Sequence, residues 1–232
     1  MTEERHPALA GRADALGALA ASVRRLAALT VTTAADSGLL GRVVVDLDRA
    51  AATLEAALPE QPYPRFAMPA GPGGSAEDAS SLTSPASMPF DMVIGRYNPI
   101  APPVAIESDL DAEPRRAIGV VTFGTLHEGA PGCVHGAVLA GVFDIVLTAA
   151  NRLSGAAGPT TRLSFRFRRP TLLGVECRFE AWVVDVDERR VTSHGRLMQG
   201  EQVTVEAEGR FAVFTPEQVR SLARRRTQEG TD

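Results

Sequence analysis

The chain has few cysteines and no long uninterrupted run of apolar residues. It contains two cysteines, Cys133 and Cys177, which are too few for a disulfide framework or a cysteine metal cluster. No apolar run approaches the length of about eighteen residues typical of a membrane span. The first residues mix acids and bases, and no apolar segment of a signal peptide follows them. We therefore expect a soluble cytoplasmic protein without a membrane span.

An excess of charge of one sign is also missing. The 24 basic and 28 acidic residues leave a net charge of -4, which gives no general reason to bind nucleic acid. An anionic ligand would have to be held by a local group of basic side chains. Histidines and acids do not show metal-ligand spacing, so the sequence predicts no metal site.

Composition divides the chain into four segments. Residues 1–58 are rich in Ala and Leu, and their apolar positions recur at helical spacing, which predicts an N-terminal helical hairpin. This hairpin could pack on itself, on the next domain or on a partner chain. Residues 59–91 hold seven of the sixteen prolines and a Gly-rich run, as is typical of a linker. Residues 92–215 form the main domain, and residues 216–232 form a C-terminal tail.

From residue 92 onward, apolar and polar residues alternate, which predicts antiparallel strands with one face in water. Turn residues at Asp187 and Gly200 separate the last three strands. The inward positions of the five predicted strands are Ile118, Val120, Thr122, Gly124 and Leu126; Leu163, Phe165 and Phe167; Val175, Cys177, Phe179, Ala181 and Val183; Val191, Ser193, Gly195 and Leu197; and Val203, Val205, Ala207, Phe211 and Val213.

One segment of the main domain does not alternate. Residues 135–151 read HGAVLAGVFDIVLTAAN and are apolar around most of a helical circumference, which is typical of a buried helix. The order is thus one or two strands, a long helix and four more strands. It predicts an α+β fold in which a curved antiparallel sheet wraps around a central helix.

Asp144 is an ionisable side chain inside this predicted buried helix. An unpaired buried carboxylate is costly, and such groups persist mostly where they do chemistry. Two interpretations stay open. Asp144 could lie on a solvent-facing stripe with Gly141, Thr148 and Asn151, or that stripe could be an active-site face on which small residues leave room for a ligand.

A glycine-containing turn, GAPGCVHG at 129–136, leads into the helix. Free N–H groups at a helix start favour developing negative charge, and Gly136 would let a carbonyl group approach its N–H closely. His135 could cap the turn or steer a water molecule. Roughly 13 Å of helix separate His135 from Asp144, so one carbonyl group cannot easily touch both ends. Two antiparallel copies of the helix would bring Gly136 of one subunit near Asp144 of the other, which predicts a site shared across a dimer.

The run HEGAPGCVHGAVLAGVFD at 127–144, followed by GPTTRLSFRFRRP at 158–170, resembles the hotdog-fold acyl-CoA thioesterases of the phenylacetate-pathway (PaaI-like) branch. Residues 95–103 look like the first strand of one bacterial group in that branch. The resemblance covers roughly residues 92–215. It implies a hotdog fold, a homodimer or dimer of dimers, and hydrolysis of an acyl-CoA in fatty acid metabolism, with no cofactor besides the CoA of the substrate.

The same resemblance assigns roles to residues of the site. Gly136 offers the oxyanion N–H, and His135 shapes the turn around it. Asp144 acts from the opposite subunit, either as general base on water or as nucleophile. Thr160 matches a position where relatives carry a Ser or Thr that positions the water or the carboxylate, and Thr161 beside it could be mistaken for it.

This sequence departs from the family pattern at two positions. Ala137 stands where the family usually has a second glycine, and its methyl group could crowd the thioester. Gly129 stands where some relatives present an Asn side chain to the carbonyl, so catalysis would depend on the single backbone donor at Gly136.

Other residues are candidates for substrate binding, together with Ala137 and Thr161. His127 could line the acyl pocket or lie at the surface. Arg166 and Arg168 share one face of a predicted strand and Arg169 lies on the other. Guanidinium groups suit the phosphates of CoA, although such a run of charges is more often simply solvated.

Two functions of different classes remain open. The first is hydrolysis of an acyl-CoA with Asp144 as base. The second is a non-catalytic acyl-CoA-binding or regulatory hotdog protein, in which Ala137 marks lost chemistry. A hotdog dehydratase would need a His-plus-acid arrangement that these strands do not show.

Overall fold

The structure is a computed structural model that describes residues 6–61, 63, 88–156 and 158–213. Most of the predicted linker at 59–91 and the whole predicted tail at 216–232 lie outside the described residues. The proposed domain boundaries therefore stay predictions.

The two predicted N-terminal helices are confirmed as α1 (Ala13–Thr32) and α2 (Ser37–Glu55). The Asp36 side chain accepts a hydrogen bond from the Leu39 N–H at 2.8 Å, so this residue caps α2. No residue of α2 is buried. Its large apolar side chains are all more than a third exposed: Leu39, Leu40, Val43, Val44, Val45, Leu47 and Leu54.

Helix α1, by contrast, is attached to the main domain. The Arg24 guanidinium donates to the backbone carbonyls of Arg96 and Asn98. Gly17 lies against Tyr97, since a Cβ at residue 17 would be 3.6 Å from that ring. The segment before α1 is also anchored, with Leu9 only 1% exposed.

The main domain is one six-stranded antiparallel sheet and one long helix, which confirms the predicted hotdog architecture. The strand order is β1-β2-β4-β5-β6-β3, and every neighbouring pair is antiparallel. The elements are β1 (Ala105–Asp109), β2 (Arg116–Thr122), α3 (Gly136–Leu153), β3 (Thr160–Phe167), β4 (Glu176–Val186), β5 (Arg190–Gln199) and β6 (Gln202–Ala212).

Three predictions for the first strands need correction. In β2 the residues that face the core are Ala117, Gly119 and Val121 instead of Ile118, Val120 and Thr122, because Ala117 and Val121 belong to the buried core and a Cβ at residue 119 would meet Val146 of α3. Residues 95–103 form turns rather than a first strand, because Pro99, Pro102 and Pro103 remove backbone donors. The strand predicted through Gly124 and Leu126 ends at Thr122, and a short 3-10 helix at Thr125–His127 follows it.

The core lies between α3 and the inner face of the sheet. Phe143 of α3 is fully buried and packs edge-on against Phe179 of β4, with ring centroids 5.0 Å apart. Gly195 of β5 leaves room for it, since a Cβ at residue 195 would lie 3.2 Å from the Phe143 ring. Truncation of a buried Phe to Ala typically costs about 3–5 kcal/mol, so this contact fixes how α3 sits on the sheet.

Two of the described helices, Ala13–Thr32 and Gly136–Leu153, are long and apolar enough to cross a membrane by length and composition alone. The second is α3, the core helix of the main domain. The first is α1, which carries Arg24 and Arg25 near its middle. Core helices of soluble proteins and N-terminal signal sequences pass the same test, so one or two such helices are weak evidence for a span.

Candidate active site

The start of α3 leaves one backbone donor unused. His135 is the N-cap, and its Nδ1 accepts a hydrogen bond from the Ala137 N–H at 3.0 Å. The His135 carbonyl accepts from the N–H groups of Val138 and Leu139. Among the described residues, the Gly136 N–H is therefore the first-turn donor with no partner, as an oxyanion donor would need.

The turn before α3 is fixed by backbone hydrogen bonds. The His135 N–H donates to the His127 carbonyl at 2.8 Å, and the Val134 N–H donates to the Thr171 carbonyl at 2.8 Å. Gly132 has a φ of +74°, which favours glycine, and its N–H donates to the Glu128 carboxylate at 2.6 Å. The orientation of the Gly136 N–H therefore does not depend on His135 alone.

Gly129 has a packing reason to be a glycine. A Cβ at residue 129 would lie 2.8 Å from the His135 Cα, closer than real Cβ contacts come. This explains the departure noted in the sequence, because an Asn side chain at residue 129 would require the turn to shift.

A cleft of about 690 Å³ opens at the start of α3. His135, Gly136 and Leu139 line one side, and Phe167, Arg168 and Arg169 line the other. Phe167 was predicted to face inward, but it is 57% exposed and forms an apolar wall. A Cβ at residue 136 would lie 3.3 Å from the Phe167 ring, so glycine keeps this side of the cleft open.

Asp144 and Thr160 form the second part of the candidate site. Asp144 is half-buried on α3, and the Thr160 hydroxyl donates to its Oδ1 at 2.6 Å. The pairing of β3 with β6 shifts register between Thr160 and Arg162, as at a β-bulge, so Thr160 and Thr161 have different hydrogen-bond partners. The Thr161 hydroxyl donates instead to the Arg210 carbonyl at 2.9 Å. Thr160, and not Thr161, is thus the residue that contacts the carboxylate.

The two parts are separate in one protomer. Asp144 does not line the cleft that contains Gly136. Eight residues of helix between them correspond to about 12 Å along the axis. This separation agrees with a site shared between two subunits, which stays a prediction.

The solvent-facing stripe proposed for α3 is wrong at one residue. Asn151 is 1% exposed, and its side-chain oxygen accepts a hydrogen bond from the Ser193 hydroxyl of β5. It anchors the end of α3 to the sheet. Gly141 and Thr148 are half-buried.

His127 and Ala137 lie near the cleft but do not line it. The His127 ring packs edge-on against Phe123, with centroids 5.3 Å apart. Burial lowers the pKa of His127, and its hydrogen bond with the Gly124 backbone offsets part of that shift. Ala137 is exposed, and its N–H is taken by His135.

The three arginines have different surroundings. Arg168 donates to Glu206 from its Nε at 3.0 Å and from an Nη at 2.8 Å. Arg166 lies opposite Glu206 in the sheet register and does not line the cleft. Arg169 lines the cleft.

A cluster that the sequence did not predict lies on the outer face of the sheet. Glu180 is 6% exposed and accepts hydrogen bonds from Arg116, Arg178 and Arg196. These residues come from three different strands, so no spacing along the chain indicates the cluster. In the part of the chain that the structure describes, no group of three or more His, Cys, Asp or Glu residues could hold a metal ion.

Comparisons with known proteins identify relatives. The family model described as thioesterase superfamily matches residues 131–206. The crystallised protein RHA08564, described as a thioesterase superfamily protein, is 31% identical, with a TM-score of 0.71. The match covers 84% of this chain and 94% of that one. Residues 92–232 alone are too few for that coverage, so the match extends into the N-terminal region.

More distant structures are also similar. The Escherichia coli PaaI protein from the phenylacetic acid degradation operon is 16% identical, with a TM-score of 0.43, over 48% of this chain and 80% of that one. Zebra fish thioesterase superfamily member 2 is 16% identical, with a TM-score of 0.43, over 48% and 81%. No curated protein matches the chain.

Proposed function

This chain belongs to the thioesterase superfamily, and we propose that it hydrolyses a thioester, with an acyl-CoA as the substrate and a free acid and CoA as the products. The observation that carries this proposal is the hydrogen bond between Thr160 and Asp144 on the central helix. It holds a half-buried carboxylate in one orientation, as a general base or nucleophile requires.

The chemistry follows from the groups that are available. In the general-base route, Asp144 accepts a proton from water, and the oxygen of that water attacks the thioester carbonyl carbon. The negative charge that develops on the carbonyl oxygen is stabilised by the Gly136 N–H. The C–S bond then breaks, the thiolate of CoA leaves, and it takes up the proton. In the alternative route Asp144 itself attacks the carbonyl carbon, the C–S bond breaks and the thiolate of CoA leaves. Water then hydrolyses the mixed anhydride, which releases the free acid, regenerates the Asp144 carboxylate and supplies the proton that the thiolate takes up.

We propose further that each site uses two subunits. Asp144 of one protomer would face Gly136 of its partner, with the α3 helices antiparallel across a two-fold axis. The separation of about 12 Å along one helix supports this arrangement, because one carbonyl carbon cannot lie at both ends.

The test is thiol release by the purified protein from short, medium, long and aromatic acyl-CoAs, with the Asp144→Ala variant alongside. A general base contributes about 10²–10⁴-fold, so turnover should fall by at least about a hundredfold. The variant should keep the mass of the wild type in solution. Turnover that survives in Asp144→Ala would overturn the assignment of its role.

Ala137 favours a second candidate function, an acyl-CoA-binding protein that does not turn over its ligand. Ala137 directly follows the proposed oxyanion donor in the chain and stands where the family usually has a glycine. This candidate predicts saturable binding of an acyl-CoA without thiol release from any member of the panel, and a gain of activity in Ala137→Gly.

A further inference from the structure

Arg169 differs from its two neighbouring arginines in having no acidic partner. Within the described residues its side chain makes no hydrogen bond or ion pair, whereas Arg168 bonds to Glu206 and Arg166 lies opposite that same carboxylate. The two arginines together help to lower the pKa of Glu206, chiefly through the hydrogen bond from Arg168. The positive charges of Arg166 and Arg168 are thus directed to an acid, and the charge of Arg169 is not.

Arg169 also lies in the cleft that contains the proposed oxyanion donor. Gly136 and Arg169 both line this cleft. Glu128 is the acid that lines it, and its carboxylate accepts a hydrogen bond from the Gly132 N–H. The cleft therefore offers an anion one guanidinium group that no carboxylate engages.

The backbone that carries Arg169 is held in place. The N–H groups of Arg168 and Arg169 both donate to the Thr204 carbonyl, at 2.7 Å and 3.1 Å. Two residues further on, the hydroxyl of the buried Thr171 donates a hydrogen bond to the Thr204 hydroxyl. The backbone carbonyl of Thr171 accepts a hydrogen bond from the Val134 N–H. Arg169 is consequently tied to the turn that precedes Gly136, and little ordering of the backbone is needed when a ligand binds.

We propose that Arg169 binds a phosphate group of the thioester substrate and sets the preference for phosphate-bearing thioesters. This inference rests on the proposed function, because it treats Gly136 as the position of the thioester carbonyl. A guanidinium fork suits phosphate oxygens, and a phosphate contact raises affinity without taking part in the bond that breaks. The phosphate could belong to the nucleotide of CoA or to the phosphopantetheine arm that CoA shares with acyl-carrier proteins.

The experiment compares one acyl group on three carriers. These are CoA, 4′-phosphopantetheine, and N-acetylcysteamine, which has no phosphate. Arg169→Ala should raise KM for the acyl-CoA about tenfold, with kcat little changed, and should leave kcat/KM for the N-acetylcysteamine thioester unchanged. The KM ratio between variant and wild type should shrink as salt is added. Arg169→Lys should give an intermediate KM.

Arg166→Ala is the matched control, since it removes an arginine from the same strand region but outside the cleft. It should change none of the three reactions. If Arg169→Ala lowers kcat/KM for the phosphopantetheine thioester as much as for the acyl-CoA, the contact is with the phosphate of the shared arm. If it lowers kcat/KM for the acyl-CoA alone, the contact is with a phosphate of the nucleotide. Equal losses on all three carriers, or the same losses in Arg166→Ala, would overturn the proposal.

Calorimetric binding of CoA separates this inference from the proposed function. If CoA binds and Arg169→Ala weakens that binding about tenfold, the phosphate contact holds even if no thioester is hydrolysed. If the wild type hydrolyses thioesters while Arg169→Ala binds CoA normally, the phosphate contact is wrong and the hydrolysis stands. Failure of the wild type to bind CoA overturns the inference.

Discussion

At the scale of single residues, the contact between Thr160 and Asp144 is open to a direct test. Thr160→Val keeps the shape of the side chain but removes the 2.6 Å hydrogen bond to the carboxylate. A hydrogen bond to a charged group contributes about 1.5–3 kcal/mol, so kcat for thioester hydrolysis should fall about tenfold or more. Steady-state kinetics with one acyl-CoA would measure the change.

Thr161→Val is the matched control, because the Thr161 hydroxyl donates to a backbone carbonyl of β6 instead of to Asp144. We expect a small loss of stability and no change in kcat. Equal losses in the two variants would mean that Thr160 acts on the strand and not on the carboxylate.

The residues of the site were predictable to different degrees. Asp144 stands out in the sequence because it is a charge within an apolar helix. Thr160 was identified only through the family resemblance, since neither the register shift beside it nor its contact with Asp144 has a signature in the sequence. Asn151 was misassigned because its buried partner, Ser193, is 42 residues away along the chain.

At the scale of elements, the N-terminus of α3 makes a second prediction. Gly136 is the first helical residue, where proline is well tolerated, and His135 has the extended conformation that precedes proline readily. Gly136→Pro should therefore keep the helix and remove the N–H, while it adds the atoms of the proline ring. Loss of one oxyanion donor lowers kcat by about 10²–10³-fold, which thiol-release kinetics would detect.

Gly136→Ala controls for the added side chain. Its Cβ also approaches the Phe167 ring, at 3.3 Å, but the N–H is kept. The alanine variant should retain most of the activity that the proline variant loses. Losses of the same size would indicate that crowding against Phe167, and not the N–H, governs the rate.

The cluster around Glu180 connects strands β2, β4 and β5 and predicts how stability depends on pH. Burial alone would raise the pKa of Glu180, but hydrogen bonds from Arg178 and Arg196 outweigh it and hold the pKa below its usual value. The carboxylate therefore stabilises the fold above the pKa of the unfolded chain. That stabilisation is lost as the pH falls through the lower pKa of the folded state.

Glu180→Gln should accordingly have a lower free energy of unfolding than the wild type at pH 7, with a difference that narrows in acid. Each unit by which the folded pKa is lowered contributes about 1.4 kcal/mol. Urea unfolding between pH 7 and pH 3 would measure it. Glu208 lies on the same face with a side chain that is 38% exposed, and Glu208→Gln should change the free energy of unfolding by less than about 1 kcal/mol. A gap that is constant with pH would contradict this linkage.

The order of helices and strands was predictable where apolar residues recur at a regular spacing over a long stretch. Strands β3 to β6 and helix α3 each carry enough inward apolar residues to set their type. Strand β1 was not specified, because its sequence AIESD has little apolar alternation and it lies at the sheet edge. The turns at 95–103 were misassigned because that expectation came from the family resemblance, whereas the three prolines in this stretch limit strand pairing.

At the scale of the whole molecule, a site shared between subunits makes a prediction that a site within one chain does not. Asp144→Ala and Gly136→Pro should each be nearly inactive alone. In a heterodimer of the two variants, one site contains both lesions and the other contains neither, because each site takes Asp144 from one chain and Gly136 from the other.

The experiment mixes equal amounts of the two variants, dissociates or unfolds them together and lets the dimers form again. Random pairing should then recover about a quarter of the wild-type activity. Thiol release before and after subunit exchange would measure the recovery. If both residues act within one chain, every site in the mixture carries one lesion, and no activity returns even though exchange is complete by mass.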